Sequence, residues 1–301
     1  MPPNAWFVFY AFVILQLAFP VCAADKDAQH TSGRAGTIPR PDHVVIVIEE
    51  NKSFAQIIAR SVMSKTPAAY INTLASRGAL FTNSFALAHP SQPNYLALFS
   101  GLTHGVPDDR CPLVLSGPSL ASALLERGKS FATYSESMPS KGFDGCYYQN
   151  NLYARKHNPA ANWSSLPSAV NLRFDDFPAD YSQLPTVALV IPNQLNDMHD
   201  GRTLEEAIVR GDAWLKAKID PYVRWAQSNN SLLILTWDED DDSSNNHIAT
   251  VFVGPMVRAG RYETRIDHYS ILRTLTEMYG LRALGNAASS NPITEVWKDK
   301  Q

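Results

Sequence analysis

The chain has few cysteines, no surplus of positive charge and no long apolar run, and each of these absences argues against one class of protein or site. Its three cysteines stand in no CxxC or Cys/His spacing, which argues against a zinc site. A formal net charge of −3 gives no basic field for a polyanion, so we expect no nucleic-acid partner. Twenty prolines and fifteen glycines occur without a period, which excludes a collagen-like chain. The hydrophobic fraction of 45% is instead that of a globular protein.

The N-terminus contains an apolar run, Phe7–Phe19, that is too short for a membrane-spanning helix, which needs roughly 20 apolar residues. Small residues at Ala23 and Ala24 follow it, as is typical of a signal-peptidase site. We therefore predict a signal peptide at residues 1–24 and a secreted or periplasmic protein without stable membrane insertion after cleavage. An uncleaved membrane anchor is the alternative, and a lipoprotein modified at Cys22 is a weaker one.

Removal of the signal peptide leaves a polar segment at residues 25–40, which we expect to be flexible, and one folded domain at residues 41–301. Two cysteines remain, Cys111 and Cys146, which is an even number in an oxidising compartment. We therefore predict one disulfide between them, and two separate free thiols are the alternative.

Apolar strands alternate with capped helices along the domain. The clearest strands are the aliphatic runs His43–Ile48, Thr186–Ile191 and Leu232–Thr236. Weaker strands are expected at Phe81–Ala86, Ser130–Tyr134 and Thr250–Val253, and helices at Thr66–Gly78, Asn94–Ser100, Ser116–Arg127, Thr203–Gln227 (broken at Gly211 or Asp220–Pro221) and Tyr269–Tyr279. This alternation predicts a single α/β domain with a mostly parallel central sheet flanked by helices. The irregular residues 137–180 are expected to form a lid or a pocket wall.

Polar residues follow each of the three clear strands. Glu50 and Asn51 come after the first, residues 197–200 after the second, and the acidic run Asp238–Asp242 after the third. The carboxyl ends of parallel strands meet at one edge of a sheet, where ligands bind. These side chains are therefore expected to converge on one crevice.

A divalent cation is the simplest explanation for carboxylates brought together in this way. Neighbouring carboxylates repel each other unless a cation intervenes, and oxygen ligands favour a hard metal ion. Glu49 and Glu50 alternate along their strand, so only one of them can face the crevice. A solvated acidic loop is the alternative for the run Asp238–Asp242.

Ser91 lies in a proline-bounded turn just before a predicted helix. The positively polarised N-terminus of that helix suits a phosphate group. A serine hydroxyl becomes a good nucleophile when metal coordination lowers its pKa. No Gly-x-Ser-x-Gly elbow surrounds Ser91, which disfavours an acyl-transfer triad, and a simple helix-capping serine is the alternative.

Short motifs spread over residues 43–280 carry a resemblance to a known family. They are Val47–Phe54, His89–Tyr95, Tyr153–Pro159, Pro192–Asn193, Asp197–Asp200, Thr236–Glu239, Val253–Pro255 and Asp267–Thr274. In this ordered set the chain resembles the phosphoesterase family of acid phosphatases and phosphatidylcholine-type phospholipases C, which is similar to the alkaline phosphatase superfamily. The resemblance implies an alkaline phosphatase-like fold and a phosphoesterase catalytic domain at residues 41–301.

The resemblance also implies a metal site and a nucleophile. The implied ligands of a divalent metal cation are Glu50, Asn51, Ser91, Asp238 and Glu239. Ser91 would accept the phosphoryl group. The ligand set does not identify the metal further.

Four more residues are implied to act on the substrate. Asn94 and Lys156 would bind the phosphate group. His157 and His199 would contact the phosphate or protonate the leaving group, because the pKa of histidine suits general acid work. The alternatives are a surface position for His157 and a structural salt bridge for His199.

Two departures favour a compact phosphatase. The residues Asp240–Asp242 stand where larger phospholipase C members have His-Gly-Gly, and the chain lacks room for their C-terminal domains. We therefore expect an acid phosphatase-like phosphomonoesterase that hydrolyses small phosphoesters through a phosphoserine intermediate. A phospholipase C or another phosphodiesterase is the alternative, and a secreted calcium-binding module without catalysis is an alternative of another class. The oligomeric state does not follow from the sequence.

Overall fold

A nine-stranded sheet forms the centre of the computed structural model, which describes Met1 and residues 37–58 and 66–299. The described strands are β1 (His43–Glu49), β2 (Ala79–Phe85), β3 (Phe131–Ser135), β4 (Tyr147–Tyr148), β5 (Tyr153–Ala154), β6 (Asn171–Arg173), β7 (Val187–Ile191), β8 (Ser231–Trp237), β9 (His247–Val253), β10 (Gly260–Tyr262) and β11 (Ile266–Asp267). Apart from Met1, the predicted signal peptide lies outside the described residues, as does most of the predicted flexible segment.

The sheet is mostly parallel. Its strand order is β10-β2-β9-β8-β1-β7-β3-β6, with β11 also paired to β2. Strand β9 runs antiparallel to both of its neighbours, β2 and β8, and the other pairs in this sheet are parallel. Strands β4 and β5 form a separate antiparallel hairpin. The predicted α/β class with a mostly parallel sheet is confirmed.

Helices cover both faces of the sheet. The described helices are α1 (Phe54–Ile57), α2 (Ala69–Arg77), α3 (Ser91–Ser100), α4 (Leu120–Glu126), α5 (Leu204–Lys218), α6 (Asp220–Ala226) and α7 (His268–Tyr279). Helices α3, α4 and α7 pack on one face, named here the α3 face, and α2, α5 and α6 pack on the other, named the α5 face.

Strand β1 lies between β7 and β8 and is buried on both sides. Val44, Ile46 and Ile48 pack on the α3 face, and Val45 and Val47 pack on the α5 face. All five side chains are at most 2% exposed. This double burial explains why β1 is a continuous apolar run and not an alternating one.

The helix boundaries differ from the sequence prediction by a few residues. Helix α2 begins at Ala69 and not at Thr66, because the Thr66 hydroxyl oxygen accepts a hydrogen bond from the Ala68 N–H in a turn before the helix (3.2 Å). Helix α3 begins at Ser91, three residues before its predicted start. The break predicted at Asp220–Pro221 separates α5 from α6.

A disulfide joins Cys111 and Cys146, whose Cα atoms are 5.8 Å apart. The predicted pairing is therefore confirmed, and the alternative of two free thiols is wrong. In the part of the chain that the structure describes, no helix is long and apolar enough to cross a membrane.

Candidate active site

The carboxyl ends of β1 and β8 bring the predicted site residues to the first turn of α3. The Ser91 hydroxyl donates to Glu50 Oε2 at 3.2 Å and to Glu239 Oε1 at 3.0 Å. Glu50 follows β1 directly, and Glu239 lies two residues after β8. The convergence expected from strand topology is therefore present in the structure.

Ser91 is the first residue of α3 and not its cap. The N-cap is Pro90, with an extended backbone (φ −81°, ψ −164°), and Gly101, whose φ of 77° is left-handed, caps the C-terminus of the helix. The Ser91 side chain is only 1% exposed and is directed at carboxylates. The alternative of a helix-capping serine is therefore wrong.

Asn51 completes a set of oxygen donors around Ser91. Its backbone N–H donates to Asp238 Oδ1 at 3.2 Å, and its side-chain amide donates to Glu239 Oε1 at 3.1 Å. Asn51 Oδ1 and Asp238 Oδ2 are buried without a hydrogen-bond partner. Buried oxygens without partners are costly unless a ligand satisfies them, so the set fits a hard divalent cation. The structure brings together all five predicted ligands, and their metal-binding role stays a prediction.

The electrostatics of this cluster also favour a bound cation. Burial raises the pKa of Glu50 well above its ordinary value, and the Asp197 carboxylate raises it further. Burial likewise raises the pKa of Asp238, and the neighbouring Glu50 and Glu239 add to that effect. Carboxylates forced together in a dry site are stabilised in their charged forms by a metal ion.

A second cluster on the same site includes Asp197, which the sequence placed near the crevice without a role. Ligand atoms of Glu50, His157 and Asp197 all lie within 4.8 Å of one another, and the three side chains are buried. His157 Nε2 lies 3.2 Å from Glu50 Oε1, outside hydrogen-bonding geometry. His157 Nδ1 lies 3.7 Å from Asp197 Oδ2. Glu50 therefore belongs to both clusters.

Tyr95 is a site residue that the sequence analysis missed. Its hydroxyl donates to Glu50 Oε1, and its ring stacks on that of His157 with centroids 5.1 Å apart and planes at 17°. Tyr95 lies one helical turn after Ser91 and is 1% exposed. An aromatic residue on a buried helix is indistinguishable from a core residue by pattern alone, which explains why it was missed.

The two predicted catalytic histidines lie side by side. Their ring centroids are 6.0 Å apart. His157 is 1% exposed, so the alternative of a surface position is wrong, and burial lowers its pKa well below the usual value. His199 is partly exposed, its Nδ1 lies 2.8 Å from Asp200 Oδ1, and burial lowers its pKa as well. The salt-bridge geometry anticipated for His199 is thus present, and its catalytic role stays a prediction.

The two predicted phosphate-binding side chains have partners within the protein. Asn94 Oδ1 accepts from the N–H groups of Leu87 and Ala88, at 3.0 and 3.1 Å, so Asn94 holds the loop before Ser91. Lys156 Nζ donates to Asp109 Oδ2 at 2.7 Å. Their contact with phosphate stays a prediction.

His89 is a second site residue that the sequence analysis missed, although it is the first residue of the motif His89–Tyr95. Its Nδ1 lies 2.6 Å from Glu239 Oε2, and its Nε2 lies 3.3 Å from Asp240 Oδ1. His89 therefore holds Glu239 on the side away from Ser91.

Only part of the acidic sequence enters the site. Glu49 points to the α5 face, and both of its carboxylate oxygens are buried without a hydrogen-bond partner. Asp240 accepts backbone N–H groups from its own loop, including that of Ser244 at 2.7 Å, and the Asp242 side chain is 82% exposed. Glu50 alone of the two glutamates lies in the site, as strand alternation predicts. The expectation that the whole run Asp238–Asp242 converges there is wrong, because closure of its loop directs Asp240 and Asp242 elsewhere.

Comparison with known proteins agrees with this geometry. The model of the Phosphoesterase family matches residues 60–282. A phosphatidylinositol-3-phosphatase of Mycobacterium tuberculosis is 46% identical over 268 residues, which cover 88% of this chain and 86% of that protein. An acid phosphatase of Aspergillus fumigatus is 32% identical over 246 residues, which cover 75% of this chain and 54% of that protein. The chain thus spans little more than half the length of this fungal relative.

A solved structure has a similar fold. It is a protein of the alkaline phosphatase superfamily from Vibrio parahaemolyticus, with a TM-score of 0.59 and 13% identity, over 87% of this chain and 73% of that one. At this identity the similarity concerns the fold alone, and it confirms the predicted alkaline phosphatase-like architecture.

Proposed function

The chain belongs to the phosphoesterase family, and we propose that it is an exported, metal-dependent phosphomonoesterase of the acid phosphatase type. One observation carries the proposal. A buried serine hydroxyl at the first turn of α3 lies between two carboxylates, Glu50 and Glu239, within hydrogen-bond distance of both. This arrangement suits an activated nucleophile that receives a phosphoryl group.

Glu50, Asn51, Ser91, Asp238 and Glu239 would hold the divalent cation. A bound cation would lower the pKa of the serine hydroxyl and offset negative charge on the phosphoryl oxygens. The partnerless oxygens of Asn51 and Asp238 support this assignment, because each needs a ligand.

Each side chain of this site would have its own role in the reaction. The Ser91 hydroxyl passes its proton to Glu239 Oε1, to which it already donates. Ser91 Oγ then attacks phosphorus, a Ser91–phosphate bond forms, and the ester P–O bond breaks as the alcohol leaves. His199, which is nearer to solvent than His157, donates a proton to the departing oxygen. Water then hydrolyses the phosphoserine and returns the Ser91 hydroxyl, with His157 positioned by Tyr95 against the phosphate.

The names of the relatives support a monoester substrate, and the disulfide and the predicted signal peptide support export. The relatives named above are a phosphatidylinositol-3-phosphatase and an acid phosphatase, which favours a phosphatase over a phosphodiesterase. A disulfide between Cys111 and Cys146 and the predicted signal peptide both support a secreted or periplasmic location. We therefore prefer a phosphomonoesterase to a phospholipase C or a calcium-binding module as the function of this chain.

The substitution Ser91→Ala tests this function. We expect hydrolysis of p-nitrophenyl phosphate to fall by at least about a thousandfold, because the nucleophile is removed. Ser100→Ala is the matched control, since Ser100 is equally buried in α3 but bonds to the helix carbonyl of Leu96 (2.9 Å). Circular dichroism should show both variants folded.

Three outcomes would reject the proposal. Full activity of Ser91→Ala would exclude Ser91 as nucleophile. Faster turnover of bis-p-nitrophenyl phosphate or phosphatidylcholine than of p-nitrophenyl phosphate would favour a phosphodiesterase. Inertness towards all three, together with reversible calcium binding, would favour the binding module.

A further inference from the structure

A carboxylate of the protein lies between two groups that are suited to bind phosphate. Asp109 Oδ1 accepts from the backbone N–H of Gln92 at 2.9 Å, and Asp109 Oδ2 accepts from Lys156 Nζ at 2.7 Å. The Lys156 side chain is 11% exposed and that of Asp109 is 27% exposed. A half-buried carboxylate thus takes one backbone donor and one cation at the same time.

The proposed function puts a phosphate on Ser91 beside both donors. Gln92 follows the nucleophile directly, and Pro93 has no N–H, so Gln92 N–H is the next backbone donor at the N-terminus of α3. Lys156 precedes His157 in the segment that contacts Glu50. Both donors therefore belong to the phosphate side of the proposed site.

The position of Asp109 is fixed by both of its partner segments. The Gln92 side-chain amide, oriented to donate, reaches Asp108 O at 3.1 Å and Arg110 O at 2.9 Å, which holds the loop against α3. The disulfide between Cys111 and Cys146 ties the same loop to the segment that leads to Lys156. Asp109 is thus constrained on two sides, unlike a mobile surface ion pair.

We propose that Asp109 is an internal competitor of phosphate, whose carboxylate must leave Gln92 N–H and Lys156 before a phosphate group can use them. The proposal rests on the proposed function, because it assumes that phosphate binds beside Ser91. A carboxylate and a phosphate are both oxyanions that accept from N–H donors and pair with lysine. Displacing the carboxylate offsets part of the binding free energy of substrate and of product phosphate alike. This arrangement weakens the binding of phosphate without removing either donor.

The substitution Asp109→Asn tests the proposal in the otherwise complete chain. We expect the dissociation constant of inorganic phosphate, measured by calorimetry, to fall by about tenfold, because one charge-assisted contact no longer competes. The KM for p-nitrophenyl phosphate should fall with it, and kcat should not rise. Asp109→Glu, which keeps the carboxylate, should stay close to the wild type.

Asp108→Asn is the matched control for the change of charge. Asp108 is the preceding residue, and its carboxylate pairs with Arg110 at 2.8 Å instead of with the Gln92 N–H or Lys156. If the two Asn variants tighten phosphate binding equally, a general field effect explains the result and the proposal is overturned. In a Lys156→Met background, Asp109→Asn should produce little of this increase in phosphate affinity, because Lys156 is one of the two donors that the substitution releases.

The opposite result has an equally clear meaning. If Asp109→Asn weakens phosphate binding or leaves it unchanged, Asp109 positions Lys156 and does not compete, and the proposal fails while the proposed function stands. If the wild type binds phosphate but hydrolyses no phosphoester, the proposed function fails. Tighter binding in Asp109→Asn would still support the competitor in that case.

Discussion

Glu49 and Glu50 are neighbours in the chain, both are fully buried, and their surroundings differ completely. Glu50 lies on the α3 face, where it contacts Ser91, Tyr95 and His157. Glu49 lies on the α5 face, where neither of its carboxylate oxygens has a hydrogen-bond partner. The strand alternation that places one glutamate in the site places the other on the opposite face, near Glu136 and Asp212.

The same comparison applies to the two faces at this end of the sheet. On the α3 face the polar groups are directed at one another and at the nucleophile. On the α5 face the polar groups support the chain: Asp212 accepts from the N–H groups of Tyr70 and Ile71 (2.9 and 2.8 Å), at the start of α2. Buried carboxylates thus line the proposed active site on one face and hold loop or helix geometry on the other.

The largest expected effect separates the two glutamates directly. We expect Glu50→Gln to lower kcat/KM for p-nitrophenyl phosphate by at least about a thousandfold, because it removes a proposed metal ligand and a partner of Ser91. Metal content, measured by plasma mass spectrometry, should fall with it. Glu49→Gln, which has the same chemistry on the other face, should stay within about threefold of the wild type in both measurements. Equal losses in the two variants would contradict the division between the faces.

A smaller effect is expected where the α5 face supports the site. Glu136 accepts from Asn193 N (3.0 Å), Asn196 Nδ2 (2.9 Å) and Trp214 Nε1 (2.9 Å), and so holds the loop that carries Asp197. Glu136→Ala should lower the free energy of unfolding by about 2–3 kcal/mol, because three donors lose their acceptor. Urea titration measures this change.

A control on the same face tests whether the hydrogen bonds of Glu136 cause this loss of stability. Glu206 on α5 forms ion pairs with the exposed Arg202 and the half-exposed Arg210, so Glu206→Ala should change stability little. Activity should fall in Glu136→Ala and not in Glu206→Ala, since only Glu136 supports the loop of Asp197. Equal stability in the two variants would show that the contacts of Glu136 are dispensable.

The fold was predictable because its central strands are buried on both faces. Strands β1, β7 and β8 appear as continuous apolar runs, and their polar ends meet by topology, so Glu50 and Glu239 could be placed together from the sequence. The sequence could not show which members of the run Asp238–Asp242 face inwards. That choice depends on the backbone turns of the loop, which local composition does not determine.

The contacts of the loops were not predictable for a different reason. Asp109 reaches Lys156 across 47 residues, and the position of its loop depends on the disulfide and on Gln92. Tyr95 and His89 lie in motifs that were quoted, but their partners become visible only when β1, β8 and α3 are assembled. Long-range contacts of this kind leave no periodicity in the sequence.

The smallest expected effect concerns the response of the two faces to pH. His268, the first residue of α7 on the α3 face, is buried, and its Nε2–H donates to Trp237 O (3.0 Å). Burial lowers the pKa of His268 below 6.5. The stability from the neutral ring is therefore present above pH 6.5 and is lost as the pH falls through the lowered pKa, because the unfolded chain binds the proton first. On the α5 face the pH dependence of stability has the opposite sign. Burial raises the pKa of Asp212, so the stability that this carboxyl contributes is present at low pH and is lost as the pH rises.

The substitution His268→Gln isolates the contribution of the α3 face, since the glutamine amide can still donate to Trp237 O. Below pH 6.5 the variant should lose less stability than the wild type, by up to about 1.4 kcal/mol per pH unit, which corresponds to one proton. Urea unfolding at pH 7.5, 6.5 and 5.5 measures the difference, and these values are set around the ordinary pKa of histidine. His157 and Asp212 are unchanged in both proteins, so their contributions cancel in the comparison. Parallel pH profiles would mean that His268 is protonated equally in the folded and unfolded chains, and the contrast between the faces would then rest on geometry alone.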